Sequence, residues 1–534
     1  MRTVYVNGKV WTGEGFAHSF AVEDGRFAWV DGMPAQGDEI VDLGGAFVCP
    51  GFNDSHMHLL NYGSALSICD LTAHTSSLED VQGALRAFIR EKAIPAGEWV
   101  RGRGWNHDYF AGEKVIPTRQ DLDQVSREHP VTITRCCGHA LAVNTKVLEM
   151  LGLDGSQPQP DGGHYDVDES GYPTGVFRDT AMSMVSTRIP APDRAAVKDM
   201  LLTAMKRLNT YGVTSCHSDD LVCFEHLPWQ EVMAAYRELH DAGEMPVRVC
   251  EQSQFFNTAG LQAFLDEGYL TGWGDEMFRV GPLKLLGDGS LGARTAYLSE
   301  DYADQPGERG LAIFTQEEFD ALIGLAHEKG MQVAVHVIGD GVLDRVLTAY
   351  EKAFAAHPRK DHRSGLVHVQ ITRPDQLDKM RALELHAYVQ SIFIDYDSRI
   401  VAQRVGEERA NTSYAFRTMK ESGMHVSNGT DCPVEWPVAM RGIQCAVTRR
   451  PIDGSLPPYR PEEAMTVAEA LASYTSEGAW ASFEENVKGM IRPGMLADFV
   501  VLDGDPFAAD PMQLHAIEPV MTVMGGRTVY SRAQ

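Results

Sequence analysis

VCPGFNDSHMHLL, residues 48–60, decides how the chain is read. An apolar run ends in His56-x-His58, and two side chains two apart on a strand leave the same face, so both imidazoles can converge on one cation. If the chain is a β/α barrel, the carboxyl ends of its strands are where active sites collect, and this pair would lie there. The rest of the chain then has to supply seven more strands at a spacing of roughly thirty residues per unit.

Outward from this stretch, apolar strands are expected at 213–217, 247–250, 280–286, 333–337, 366–369, 387–391 and 425–428. His217 and Cys250 lie 33 residues apart, Cys250 and Lys284 34, and His336 and His368 32, each gap holding one unit. The 63 residues from His368 to Asp431 hold two, and the longer gap from Lys284 to His336 carries a Gly- and Asp-rich stretch at 288–310. With 48–58 as the first strand the count closes at eight. The interval from His58 to Val213 is too long for one crossover, so 59–190 is read as a large insertion after the first strand, lying over the barrel mouth.

Both ends of the chain look alike. Short apolar runs at 4–6, 20–22 and 27–30 are separated by Asn7-Gly8, Asp24-Gly25 and Asp31-Gly32, and 497–502 and 520–530 repeat the style around Asp503-Gly504 and Gly525-Gly526. Such dipeptides between apolar runs are hairpin signals. The expected organisation is an α/β protein: a (β/α)8 TIM barrel at 51–485 and a small β-sandwich built from 1–50 and 486–534. Helices are expected at 76–90, with Ser76 and Glu79 as a capping box, and at 193–211, ending at Gly212.

Composition agrees. Hydrophobic residues are 44% and charged residues 23%, which excludes bulk disorder. The 47 basic and 74 acidic residues leave a formal charge of −27, which repels nucleic-acid phosphates and anionic lipid. No stretch reaches the roughly 18 apolar residues of a membrane helix, and the amino terminus has no signal-peptide pattern. The expectation is a cytoplasmic protein acting on a small-molecule substrate, with no nucleic-acid or membrane partner and a homodimer left open. The nine cysteines contain no CxxC and are read as reduced core residues.

Several residues in this frame carry chemistry. Lys284 lies in VGPLKLL, free of other charge, where a buried ammonium is costly and its pKa should fall; a neutral amine there can add carbon dioxide and, as a carbamate, bridge two metals. A snorkelling or salt-bridged lysine is the plainer alternative. His336 (VAVHVIGD) and His368 (GLVHVQI) each sit in an apolar strand, one unit apart, as core histidines or as ligands level with the first pair. Asp431 (SNGTDCPVE) follows the eighth strand beside the first, where a carboxylate can bind a metal and take a proton from its water. Trp105, His107, Tyr109 and His139 in the insertion are candidates for the pocket wall, with Asp288 and Arg294 for orienting substrate. His217 is a further candidate to reach the site.

The motifs PGFNDSHMH, GRGWNHD, GHALAVNT, PTGVFRD, KLLGDGSLGARTA, HVIGD, GTDCPVE and PGMLADFVVLD run from end to end, and the chain resembles the amidohydrolase superfamily in its family 3 branch, which includes N-substituted formamide deformylase. The resemblance implies a binuclear centre: His56, His58 and Asp431 on one metal, His336 and His368 on the other, and Lys284 as a bridging N6-carboxylysine. One departure is that Gly365, Leu366 and Val367 precede His368 where the family often has an arginine and a glutamate. Zinc is the default ion for nitrogen and oxygen donors, and it lowers the pKa of a bound water to about 7. The implied reaction is hydrolysis of an amide-type C–N bond, such as an N-substituted formamide or N-acyl compound, with Asp431 as base and then acid. Ring deamination, ester or lactone hydrolysis, and a non-catalytic metal-binding regulator are the rivals; Asp431 beside a full ligand set argues against the last.

Overall fold

The computed structural model describes residues 2–112, 114–136 and 139–533, so Cys137 and Gly138, the latter opening the GHALAVNT motif, lie outside the described residues. Eight parallel strands form one sheet in chain order: β1 (Phe52–Met57), β2 (Val213–Ser218), β3 (Arg248–Gln254), β4 (Phe278–Leu286), β5 (Val333–Val337), β6 (Gly365–His368), β7 (His386–Val389) and β8 (Val426–Asn428). Helices follow most of them, including Trp229–Asp241, Gln316–Glu328 and Asp340–Ala356. Every residue of β1, β2, β6, β7 and β8 is buried, as expected where helices cover one face and the barrel interior the other.

The stretch that opened the reading divides in two. Phe47–Pro50 joins a six-stranded sheet of the chain ends, pairing antiparallel with Phe499–Leu502, and only Phe52–Met57 enters the barrel. Gly51 stands between them, where an added Cβ would come within 2.3 Å of Thr214 Oγ1. A four-stranded sheet of Arg26–Val30, Phe20–Glu23, Thr3–Val6 and Glu39–Asp42 packs against the six-stranded one through Tyr5, Phe20, Phe27, Val48, Phe499 and Val523. Arg248 at the start of β3 grips Asp498 through two hydrogen bonds of 2.7 and 3.0 Å, tying this region to the barrel's amino-terminal end.

Residues Gly63–Asp193 form a second compact unit. Its six-stranded sheet is ordered Gly163–Val167, Pro173–Asp179, Ala140–Val143, Val131–Arg135, Val100–Trp105 and Cys69–Asp70. The helix expected at 76–90 runs from Leu78 to Glu91 and is capped by Ser77, whose side chain accepts from Asp80 N; Ser76 instead donates to the Asp80 carboxylate at 2.8 Å. Of the eight described cysteines, all free, six are buried, while Cys223 is half-buried and Cys136 exposed, so the core reading does not extend to Cys136. No helix among the described residues is long and apolar enough to cross a membrane.

The barrel closes between β1 and β8 through side chains and loop backbone. Asp54 accepts from Thr430 N at 3.0 Å and Thr430 Oγ1 at 2.5 Å; Asp431 N donates to His56 O at 2.9 Å and His58 N to Cys432 O at 2.8 Å. Gly429 permits this approach, because a Cβ there would lie 2.5 Å from His56 N and 2.7 Å from His56 O. Forcing backbone apart in a packed interior typically costs ~1–3 kcal/mol. Gly429→Ala is expected to lower unfolding stability by about that much in a denaturant titration and to weaken metal retention; unchanged stability would show that the seam is slack.

Candidate metal centre

Imidazole and carboxylate groups gather at the carboxyl ends of the barrel strands. His58 Nε2 lies 2.9 Å from Asp431 Oδ1 and His56 Nε2 3.4 Å from the same oxygen. Donor atoms of His56, His58 and Asp431 lie within 4.8 Å of one another. His56 Nε2 is buried and has no hydrogen-bond partner, an orphan in a donor set suited to a divalent cation. The His368 ring centroid is 5.7 Å from that of His56 and 4.4 Å from that of His336. Lys284 is buried and joins the group through Asp219, which contacts both it and His58, so the six side chains singled out in the sequence lie close together.

The neighbours of these ligands fix which ring nitrogen is available. Gln252 on β3 donates its amide to Ser55 O, which turns its Oε1 to His56 Nδ1 at 2.7 Å. Gln390, just past β7, donates to Tyr388 O and turns Oε1 to His368 Nδ1 at 2.6 Å. An amide oxygen only accepts, so each Nδ1 carries the proton and each Nε2 is left for a cation. Gln390 thus supplies the orienting partner that the residues preceding His368 do not. His336 differs: its Nε2 is 3.0 Å from Gly289 O and 3.4 Å from Asp288 Oδ1.

Two of these residues have left-handed backbones, Asp431 at φ 59° and His368 at φ 75°. Such conformations cost energy and persist where surrounding bonds determine them. Here the bond from Asp431 N to His56 O and that from Val369 N to Val337 O do so.

Asp219, immediately after β2, is the residue the sequence reading missed. One carboxylate oxygen pairs with His58 Nδ1, and the other accepts from Lys284 Nζ at 3.1 Å. His217, two residues earlier, is enclosed with neither ring nitrogen hydrogen-bonded and its ring edge-on to Tyr388 at 6.3 Å. The alternation of strand faces would have found Asp219: if His217 points inward, so does the next residue but one.

The substrate candidates have other partners. Asp288 accepts from the backbone N–H of Ile338, Gly339 and Tyr297 at 2.8–3.0 Å, so it braces the loops after β4 and β5 rather than reaching for substrate. Burial pushes its pKa up to about 7 despite those bonds. Arg294 is held by Asp304 through bonds of 3.1 and 2.7 Å. Within the second unit, Trp105 is completely buried among Leu71, Leu85 and Ile133, a core position rather than a wall. His107 lies 3.4 Å from Arg135 Nε, and His139 is 3.0 Å from Asp179 Oδ1.

Electrostatics divide the centre. Burial opposes charge on His58, but Asp219 and Asp431 outweigh it and raise its pKa to about 10. His336 is driven down to about 3, and His368 well below its ordinary value, chiefly by burial. Burial opposes ionisation of Asp431, yet His56 and His58 hold it far below the usual carboxylate range. One half is therefore an imidazolium between two carboxylates and the other a pair of neutral imidazoles.

A family model described as "Amidohydrolase family" (Amidohydro_3) matches residues 39–530, and the chain belongs to that family. It is 35% identical over 497 residues to "Putative amidohydrolase YtcJ" of Bacillus subtilis (strain 168), covering 93% of this chain and 91% of the relative. It is 26% identical over 538 residues to N-substituted formamide deformylase of Arthrobacter pascens, covering 97% and 95%. The crystal structure of an uncharacterized metal-dependent hydrolase from Pyrococcus furiosus matches with a TM-score of 0.78 at 28% identity, over 95% of this chain and all of that one. Fold and family mark this chain as a metal-dependent hydrolase of the amidohydrolase superfamily.

A cation entering the centre must displace the proton on His58. Below about pH 10 that proton competes, so zinc affinity is expected to rise by about tenfold per pH unit between pH 7 and 9. Calorimetry in buffers of different ionisation enthalpy should find close to one proton released per ion. Binding with no pH dependence would place the ion elsewhere.

Proposed function

We propose that the chain hydrolyses an amide-type C–N bond in a small, partly apolar molecule, an N-substituted formamide or an N-acyl amine. The observation that carries this is Asp431: one carboxylate oxygen in reach of Nε2 of both His56 and His58, on a side chain that keeps 10% of its surface exposed beyond β8. His56, His58 and Asp431 fit a divalent ion of the zinc type, which when bound acidifies water and polarises a carbonyl.

The chain's own groups supply the rest. Asp431, ionised at neutral pH, takes the proton of the attacking water and returns it to the nitrogen as the C–N bond breaks, which lets the amine leave uncharged. Gln252 and Asp219 keep the imidazoles of His56 and His58 turned so that Nε2 faces Asp431. The loop that carries Asp431 also presents Val434 and Trp436, exposed by 65% and 54%, and Trp436 meets Tyr62 edge-on at 6.3 Å. Phe393 lies parallel to the His368 ring at 5.8 Å. Apolar surface beside the ligands suits an alkyl or aryl substituent on the scissile nitrogen. The amide preference is supported by the deformylase relative and by a base placed to reprotonate a poor leaving group.

Chelation is expected to abolish turnover and zinc to restore it. Asp431→Asn should lower kcat by about 10²–10⁴, the range for a proton-transferring group. A screen of N-formyl and N-acyl amines against matched esters, lactones and aminated rings should show the amides turned over with the higher kcat/KM. Ester or ring turnover without amide turnover would reassign the reaction.

A further inference from the structure

The loop after β8 carries a second carboxylate of the motif GTDCPVE besides Asp431, that of Glu435. Val434 N donates to Asp431 O at 2.8 Å. Such a turn brings its ends within about 7 Å, so the Cα of Glu435 stands within about 11 Å of that of Asp431. From the other side, Phe393 lies parallel to the His368 ring at 5.8 Å, and Asp395 and Tyr396 follow it in the chain. The two segments line one open cleft of about 670 Å³, together with Arg399, Arg441 and Asp453.

In this cleft three carboxylates face two guanidinium groups, and four of the five are paired. Arg441 Nη2 lies 3.3 Å from Asp395 Oδ2, and Asp395 Oδ1 accepts from Ile452 N at 2.8 Å. Arg399 Nη2 is 3.4 and 3.3 Å from the two oxygens of Asp453. His515, also in the wall, is turned by Gln444 Oε1, 2.8 Å from its Nδ1. Glu435 is left over: it is half-buried, and among the described residues no hydrogen bond or ion pair engages its carboxylate. Burial raises its pKa, Arg441 draws it down from a distance, and Asp395 and Asp397 raise it again. A carboxylate so placed costs free energy until a donor arrives from outside the chain.

We propose that Glu435 is a specificity residue of the hydrolase site: it receives an ammonium or guanidinium group on the nitrogen substituent of the substrate, so that the preferred amides carry a second, cationic nitrogen. The inference deepens the amide-hydrolysis reading above and rests on it. Glu435 stands between Val434 and Trp436, the apolar pair assigned above to the nitrogen substituent. Tyr396, 57% exposed in the same cleft, and Trp436 offer aromatic faces to such a cation. The formal charge of −27 draws cations toward the chain and repels anions. The rival ligand is a carboxylate on Arg441, whose Nε has no partner; that Nε is buried, and Nη2 is already held by Asp395.

The test compares, on the zinc-loaded full-length protein, monoacetylated straight-chain diamines with N-alkylacetamides and N-acetyl ω-amino acids of matched length. Affinity is read as KM where an amide is turned over and by calorimetry where it is not. The ammonium series is expected to be favoured about tenfold or more at its best chain length, through KM rather than kcat, and the preference should shrink as salt is raised. Glu435→Gln should bring the ammonium and alkyl series level, Glu435→Asp should restore part of the preference, and Glu435→Lys should turn it toward the carboxylate series. Equal affinity of the unmutated protein for the ammonium and alkyl series, a preference for the carboxylate, or an ammonium preference that survives in folded Glu435→Gln would overturn the proposal. A packing role for Glu435 would shift all three series together and overturn it as well. An ammonium preference lost in Glu435→Gln, with no amide turned over, would uphold Glu435 as the cation acceptor and overturn only the amide reading.

Discussion

The seam between the first and last barrel strands is the constraint on which the rest depends. Residues more than 370 positions apart in the chain are brought into register by the Asp54 carboxylate on Thr430 and by two backbone hydrogen bonds, Asp431 N to His56 O and His58 N to Cys432 O. Those same bonds hold Asp431 in its left-handed conformation and fix its carboxylate against two imidazoles. The donor set is thus a consequence of barrel closure. Asp54, next to the histidine pair in sequence, serves the closure and is not itself among the donors; burial pushes its pKa up to about 7 against the bonds that it accepts.

Around this seam three histidines are each oriented by a residue from another part of the barrel: His56 by Gln252 of β3, His58 by Asp219 after β2, and His368 by Gln390 after β7. Such partners decide which ring nitrogen a metal meets and how basic it is. They also divide the centre electrostatically. The carboxylate side carries charge, while His336 and His368 are held toward the neutral form by burial.

Much of this was legible in the sequence because polar residues stood out against apolar strands. His336, His368 and Lys284 interrupt runs of valine and leucine, and the 32–34-residue intervals between successive strand residues fixed the barrel. What was not legible depends on pairings between strands remote in sequence. The salt-bridged alternative for Lys284 had no visible counter-ion, because Asp219 lies 65 residues away. Arg294 and Asp288 looked available because their partners, Asp304 and the backbone after β5, are visible only once the loops fold. Trp105 belongs to the core of the second unit, since an indole in a motif carries no mark of which face of its strand it occupies. Exposed apolar side chains stand instead at Val434 and Trp436, three and five residues after Asp431.

The central claim is that His56, His58 and Asp431 together hold a divalent ion. Crystals of the zinc-loaded protein measured on both sides of the zinc absorption edge would test it most directly. The account predicts an anomalous peak bounded by His56 Nε2, His58 Nε2 and an Asp431 carboxylate oxygen; a peak elsewhere, with His58 Nε2 still hydrogen-bonded to Asp431, would contradict it.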